Sequence, residues 1–407
     1  VTHSRSSNAT YVGGDGLIKT ATTNLLLNSE EFDQSYWGKA NLTVISNAAV
    51  APDGTLTADK LVEGTNADFK QIDSTVAYSN STTYTFSVYA KAAENDSVEI
   101  LFAGGGQFAT IEFNLTDGTA SVGGQNNTWS NISGTSSYVG NGWYRCSITA
   151  TSSSAVTSNK VLIRNTNATD QGDGTSGVFV WGAQLETGCE ATPYIKTTST
   201  TNSSPRFDHD PETGESLGLL VEEARSNLFP TSEVFESGWG GSGTTNTDTI
   251  LNPYGVLGTV YYITGTERTR AFNATGYSTL AFSFFTKKRF GGLESDYTFI
   301  SIYQAAVAGG WLGNYYFRFN GDNPDSTNFK DVKTEEYPNG WYRFSCKLIA
   351  RPDYNGGVFS SVTRVDIEGL VSDNYVWGIQ VEAGSFSTSY IPTCGSTATR
   401  APDITQI

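Results

Sequence analysis

The sequence predicts an all-β protein, built as two tandem jelly-roll β-sandwiches joined by a small β connector module. Three observations predict it. Of 407 residues 43 are Gly, 13% are aromatic and only 16% are charged, which favours short strands and frequent turns over helices. Strand-length runs alternate with period 2: in STTYTFSVYAK, Tyr84, Phe86 and Val88 oppose Thr85, Ser87 and Tyr89, and in WYRFSCKLIA, Tyr342, Phe344, Cys346 and Leu348 oppose Trp341, Arg343, Ser345 and Lys347. Finally, the chain repeats itself at an interval of roughly 200 residues, far too long for a solenoid, so each copy is a domain.

In order, residues 1–23 read as the first half of the connector, 24–197 as sandwich 1, 198–226 as the second half, 227–394 as sandwich 2, and 395–407 as a tail or the start of a further connector. The openings NLLLNSEEFDQSYW and NLFPTSEVFESGW align Asn24 with Asn227, Ser29-Glu30 with Ser232-Glu233, and Trp37 with Trp239. The closings align Asn141-Gly142-Trp143-Tyr144-Arg145 with Asn339-Gly340-Trp341-Tyr342-Arg343, Val180-Trp181-Gly182 with Val376-Trp377-Gly378, and Gln184 and Glu186 with Gln380 and Glu382. Period 2 assigns Phe86, Tyr144, Ile148, Phe179, Trp181 and Leu185 to the inner faces of sandwich 1. Thr22-Thr23-Asn24 leads into sandwich 1 and Thr200-Thr201-Asn202 leads out of it, so the domain reads as an insertion whose ends meet.

The net charge of −16 repels nucleic acid, and the longest basic run, Lys287-Lys288-Arg289, is the length of a solvated strand end. There is no run of about 18 apolar residues to cross a bilayer and no signal-peptide pattern, so no membrane insertion is expected. The chain starts at Val1 and contains no Met, as expected of a processed product or a piece of something longer.

Catalysis has few candidates. The two histidines, His3 and His209, both fall in the connector, where a Ser-His-acid triad with a domain nucleophile is geometrically remote, and no Gln-x-His strand motif is present. Two carboxylates suffice for a glycosidase, but no acidic constellation repeats between the copies. The reading is a non-enzyme that requires no cofactor. For binding, the sheet face opposite the core offers Tyr89, Lys91, Trp143 and Arg145, matched by Phe285, Lys287, Trp341 and Arg343. An aromatic plate beside a cation suits a sugar ring, or an assembly surface. Trp143 and Trp341 follow Asn-Gly turns, so they have a second reading, capping the sandwich edge beneath a loop. Asp53 and Asp59 flank the glycine turn of APDGTLTADKL and supply hard oxygen ligands of the kind Ca²⁺ takes, whereas LNPYGVLGT in copy 2 has no acid. Cys146 and Cys346 occupy matching core positions, as small apolar thiols do.

The block PRFDHDPETGESLGLLVEEARSNL, residues 205–228, closely resembles one found in phage tail-fibre and other virion structural proteins, where it follows a segment like ATYVGGDGLIKTATTN, here residues 9–24. The Gly-Trp-Tyr-Arg strand, the final Val-Trp-Gly-x-Gln-x-Glu strand and the Tyr-Ile exit resemble carbohydrate-binding-module-like domains of phage fibres. These resemblances imply a virion location on head or tail, other virion proteins as partners, a host-surface glycan as ligand and a homotrimer as the assembly. Similar domains hold a structural Ca²⁺ between an early loop and the last strand, which adds Glu186 to Asp53 and Asp59 in sandwich 1. The same sandwiches also fit a secreted carbohydrate-binding accessory region of a bacterial polysaccharide enzyme.

Overall fold

A computed structural model describes residues 2–79, 82–104, 106–126, 129–152, 159–165, 171–200, 202–235, 238–290, 296–304, 310–369 and 373–406. The chain divides into two compact units: residues 4–8 with 22–204, and residues 1–3 and 9–21 with 205–407. Each is all-β.

The first unit is a sandwich of two six-stranded antiparallel sheets of jelly-roll type. One sheet runs Ala120–Gln125, Gln107–Asn114, Ser97–Gly104, Lys160–Asn165, Gln71–Thr75, Gly38–Ala40; the other runs Ser130–Gly140, Trp143–Thr151, Thr83–Ala92, Gly177–Thr187, Ala58–Glu63, Leu42–Ala49. Apolar side chains from both sheets, among them Phe86, Phe102, Ile111, Ile148 and Leu185, interleave as one core. Thr23 and Asn24 pair antiparallel with Ser203 and Asn202, so the two ends of the sandwich meet.

The second unit carries a related sandwich in which, among the described residues, no strand matches the edge strand Ala120–Gln125 and one strand serves both sheets. Its strand Leu257–Phe272 is long enough to serve both sheets: up to Thr264 it pairs with Thr244–Leu251, and from Gly265 it pairs with Thr363–Gly369. The crossing occurs at Gly265, whose φ of +81° is open to Gly at little cost, and the register shifts there. In the first unit two separate strands, Ala58–Glu63 and Gln71–Thr75, fill these positions. Connector residues 9–21 and 205–226 belong to this second unit, and residues 4–8, 22–23 and 198–204 belong to the first. Ala9–Val12 forms a hairpin with Ile18–Ala21, Phe207–His209 forms one with Ser216–Leu219, and Ala398–Arg400 of the tail pairs with Arg225–Asn227. A buried ion cluster ties them together: Arg206 meets Glu222 at 2.6 Å and also Asp403, and Arg400 meets Glu222 at 2.9 Å.

The period-2 reading of the core holds for Phe86, Ile148 and Leu185, and Tyr144 packs half-buried against the same core. It fails for Phe179 and Trp181. Val178, Val180, Ala183 and Leu185 face the core, so the strand slips by one residue at Trp181-Gly182, where the pairing register shifts. Gly182 takes φ +63°, and a Cβ there would sit 3.0 Å from the Tyr89 ring. Trp181 therefore points outward, yet it is only 4% exposed because Trp143, Tyr89, Phe179 and Tyr194 enclose it in a second apolar cluster. The second unit repeats the device with Gly378 and with Trp377 among Trp341, Phe285 and Tyr390.

The residues shared between the openings and closings of the repeat are explained by one polar knot. Asn24 donates to the carbonyls of Ala183 (3.0 Å) and Ile195 (2.9 Å) and accepts from the N–H groups of Leu26 (3.1 Å) and Leu185 (3.2 Å). Asn227 makes the matching four bonds with Ile379, Ile391, Phe229 and Val381. Gln184 accepts from Ile195 N–H and donates to Glu186, just as Gln380 accepts from Ile391 N–H and donates to Glu382. Both asparagines are wholly buried, so their removal leaves backbone groups without partners. Replacing Asn24 or Asn227 by Ala is expected to cost its own sandwich at least about 2 kcal/mol in urea unfolding; a loss under about 0.5 kcal/mol would show that the knot is not what closes the fold.

Candidate functional site

The predicted sheet face is roofed over. In sandwich 1, Trp143 is 1% exposed and its indole N–H donates to Val50 carbonyl at 3.0 Å, beneath the turn that follows Leu42–Ala49. Tyr89 is half-buried with its ring 5.3 Å from Trp181, and Arg145 lies over Tyr89 at 5.4 Å and donates to Ser87 at 3.0 Å. In sandwich 2, Trp341 is fully buried and donates to Leu251 carbonyl at 2.8 Å, and Phe285 is 1% exposed. Arg343 is spent on Ser283 (3.2 Å) and the Thr388 carbonyl (2.6 Å). Trp143, Trp341, Phe285 and Arg343 thus form no open plate; the edge-capping reading of the tryptophans describes them. Lys91 and Lys287, at the ends of their strands, are half-buried.

Lys287 points to a different place. At one end of sandwich 2 lies an open cleft of about 720 Å³, lined by Lys287, Lys288, Tyr297, Arg318, Phe319 and Tyr342, with Asp296 at its side. Three strand ends build it, those of Thr279–Lys287, Tyr297–Tyr303 and Trp311–Arg318, together with the Trp341–Ile349 strand just after the Asn339-Gly340 turn. Tyr342 stands edge-on to Phe319 with centroids 5.0 Å apart, and Lys288 sits over the Phe319 ring at 5.3 Å. Tyr297 meets Tyr316 edge-on at 5.0 Å; Tyr316 is 42% exposed and carries the aromatic wall outward. Lys288 pairs with the exposed Asp296 at 2.6 Å. Lys287 forms no ion pair among the described residues, and burial lowers its ammonium below the usual lysine range. The Arg318 guanidinium donates to the Asp322 carbonyl at 3.3 Å and forms no ion pair among the described residues. Aromatic faces beside poorly matched cations, in a cleft of ligand-binding size, can hold a polar ring and its substituents.

The period-2 pattern misses this cleft because its residues come from the ends of separate strands. The one legible signal was the run Lys287-Lys288-Arg289, which the structure splits. Lys287 and Lys288 line the cleft, whereas Arg289 turns to Asp373 at 3.0 Å and stacks over Tyr262 at 3.8 Å.

The three carboxylates expected to hold Ca²⁺ are engaged separately. Asp53 caps its own turn through Thr55, with 2.9 Å to the backbone N–H and 2.7 Å to the hydroxyl. Asp59 accepts the backbone N–H groups of Phe32 and Asn47, each at 2.9 Å. Glu186 sits in the closing knot, accepting from Gln184, from Thr192 and from Asn8. They do not converge, and no group of three or more His, Cys, Asp or Glu side chains is placed to hold a metal among the described residues. A smaller cleft near Asp59, lined by Glu30, Asp33, Asn47 and Lys196, contains no aromatic side chain. His209 contacts Val12 carbonyl at 3.1 Å in the connector, and the side chain of His3 lies outside the described residues. Cys146 and Cys346 are buried in the two cores, and burial pushes the Cys146 thiol up to about 12, which keeps it protonated and inert.

No protein-family model matches the sequence, and no curated protein matches it. Among solved structures, the N-terminal CBM22-1-CBM22-2 tandem domain from Paenibacillus barcinonensis Xyn10C is similar over 89% of this chain and 98% of its own, at 12% identity and a TM-score of 0.31. A likeness that loose assigns neither ligand nor site. The all-β sandwich architecture stands on the strand pairing itself.

Asp59 offers a test through pH. Its burial pushes the carboxyl up to about 6 in the folded state, so the fold binds its proton more tightly than the unfolded chain does. Its contribution is therefore most favourable at low pH and is lost as pH rises from about 4 through about 6, by about 2 kcal/mol. Urea unfolding of wild type and Asp59→Asn across this window should show the wild type losing that much relative to the variant; a constant difference would mean that Asp59 titrates normally.

Proposed function

We propose that this chain is a non-enzymatic structural protein of a bacteriophage virion, part of a head or tail fibre, whose second sandwich holds a glycan in its end cleft. The observation that carries the binding half is the cleft itself, where Tyr297, Phe319 and Tyr342 supply apolar ring faces and Lys287, Lys288 and Arg318 supply donors. Stacking on aromatic faces plus hydrogen bonding to hydroxyls is how a protein holds a sugar, whose ring is apolar on its faces and polar at its rim. The virion half rests on the resemblance of residues 205–228 to phage fibre proteins. Other virion proteins are the partners this reading implies, and a homotrimer is the assembly it implies. The cleft would serve an accessory region of a secreted polysaccharide enzyme equally well, so the two halves are tested separately.

Glycan-array binding by the full chain, lost in Tyr342→Ala and retained in Tyr144→Ala, is the expected result. Tyr144 occupies the matching position in sandwich 1 and controls for a purely structural loss. An array on which wild type binds nothing, or on which both variants bind normally, would remove the cleft from the proposal. Antibody labelling of intact particles should decorate head or tail; unlabelled particles with the protein free in the medium would favour the secreted accessory region.

A further inference from the structure

We infer that the glycan this cleft selects is anionic, a sugar bearing a carboxylate or a sulfate; the inference rests on the sugar-binding reading above. The two sandwiches provide an internal comparison. Lys91 pairs with Trp143 as Lys287 pairs with Trp341, which places Ala92 where Lys288 stands. Ser97 pairs with Asn114 as Tyr297 pairs with Arg318. The N–H of Leu115 donates to Asp96 carbonyl at 2.7 Å, just as the N–H of Phe319 donates to Asp296 carbonyl at 3.1 Å. The frame therefore matches at these strand pairs and at this backbone bond.

The side chains on that frame do not. Both copies keep a lysine at the first position, an aspartate beside it and a tyrosine after the Asn-Gly turn: Lys91, Asp96 and Tyr144, or Lys287, Asp296 and Tyr342. Only sandwich 2 adds the cations Lys288 and Arg318 and the rings Tyr297 and Phe319, in place of Ala92, Asn114, Ser97 and Leu115. Sandwich 1 folds the same end without them, so the frame does not require them. Among the described residues that line the cleft, three cations stand against the one carboxylate of Asp296, which Lys288 already engages. In a chain of net charge −16 this local excess is against the overall balance. Arg318 presents a planar fork matched to a carboxylate or sulfate, and Lys287, partly withdrawn from water, gains from an anion that restores its lost solvation.

The test uses the full chain and titration calorimetry with paired probes. Oligogalacturonate, sialyllactose and a sulfated glucosamine oligomer are each set against a neutral counterpart of the same linkage. The expected result is at least one anionic probe bound about tenfold tighter than its neutral partner, with the preference fading as NaCl rises from about 0.05 to about 0.5 M. Arg318→Gln should abolish the preference and Lys91→Gln should leave it intact, with circular dichroism melts confirming that both variants fold. Which probe responds distinguishes carboxylate from sulfate. Equal binding of anionic and neutral members would overturn the charge selection while leaving the sugar site standing. Binding of neither, together with an empty glycan array, would remove the sugar site itself. Loss of the preference in Lys91→Gln rather than Arg318→Gln would move the anionic site to sandwich 1 and refute the assignment.

Discussion

A single buried side-chain amide holds each sandwich shut. Asn24 and Asn227 stand at the first residue of their domains and bond to the last strand and to the chain leaving it, through Ala183 and Ile195 or through Ile379 and Ile391. A buried amide has two donors and an acceptor with two lone pairs, and leaving any of them unpaired costs stability, so each asparagine works only when the beginning and end of its domain are both in place. That requirement fixes the neighbours. Gln184 and Gln380 accept the N–H of the exit isoleucine, Tyr194 and Tyr390 reach back to Ser29 and Ser232, and the exit strand cannot shift without breaking several of these bonds together. The same closure brings Asn24 and Asn202 side by side, which lets the first sandwich sit inside a chain whose flanking segments continue on either side.

The aromatic clusters outside the cores follow from that closure. A strand that offers both Val180 and Ala183 to the core needs one residue out of step, and Gly182 in the left-handed region supplies it. The slip throws Trp181 onto the outer face, where the exit residue Tyr194 packs against it with tilted rings at 4.8 Å and covers it. In the second sandwich Tyr390 covers Trp377 at 4.9 Å in the same way. A face that reads in sequence as an aromatic plate for a ligand is in fact the underside of the chain's own exit.

Period 2 and internal repetition made the two sandwiches, the end-to-end closure and the core positions Phe86, Ile148 and Leu185 legible. Phe179 and Trp181 were not, because alternation has no means of announcing a bulge when the glycine that makes it also fits a plain strand. The cleft was hidden for another reason. Lys287, Tyr297, Arg318 and Tyr342 lie on four strands that become neighbours only through the sheet order, so no local window contains them. The ion cluster of Arg206, Glu222, Arg400 and Asp403 is non-local in the same sense, its members being brought together from the connector and the tail.

Duplication gives these physical constraints a consequence for function. Among the residues both copies share, the asparagine, the Gln-x-Glu pair, the bulge glycine and the tryptophan beneath the exit tyrosine serve the closure of the domain. None of them is free to serve a ligand, since each already spends its hydrogen bonds or its surface on closing the domain. Side chains that can serve a ligand in one copy alone are those at strand ends and turns where the copies differ, as is usual for sites carried on a rigid sandwich. The end of sandwich 2 meets that condition, exchanging Ala92, Ser97, Asn114 and Leu115 of the first copy for Lys288, Tyr297, Arg318 and Phe319 without altering the strand pairing beneath. At that end, what distinguishes the two domains is the side chains, while the strand pairs beneath them are kept.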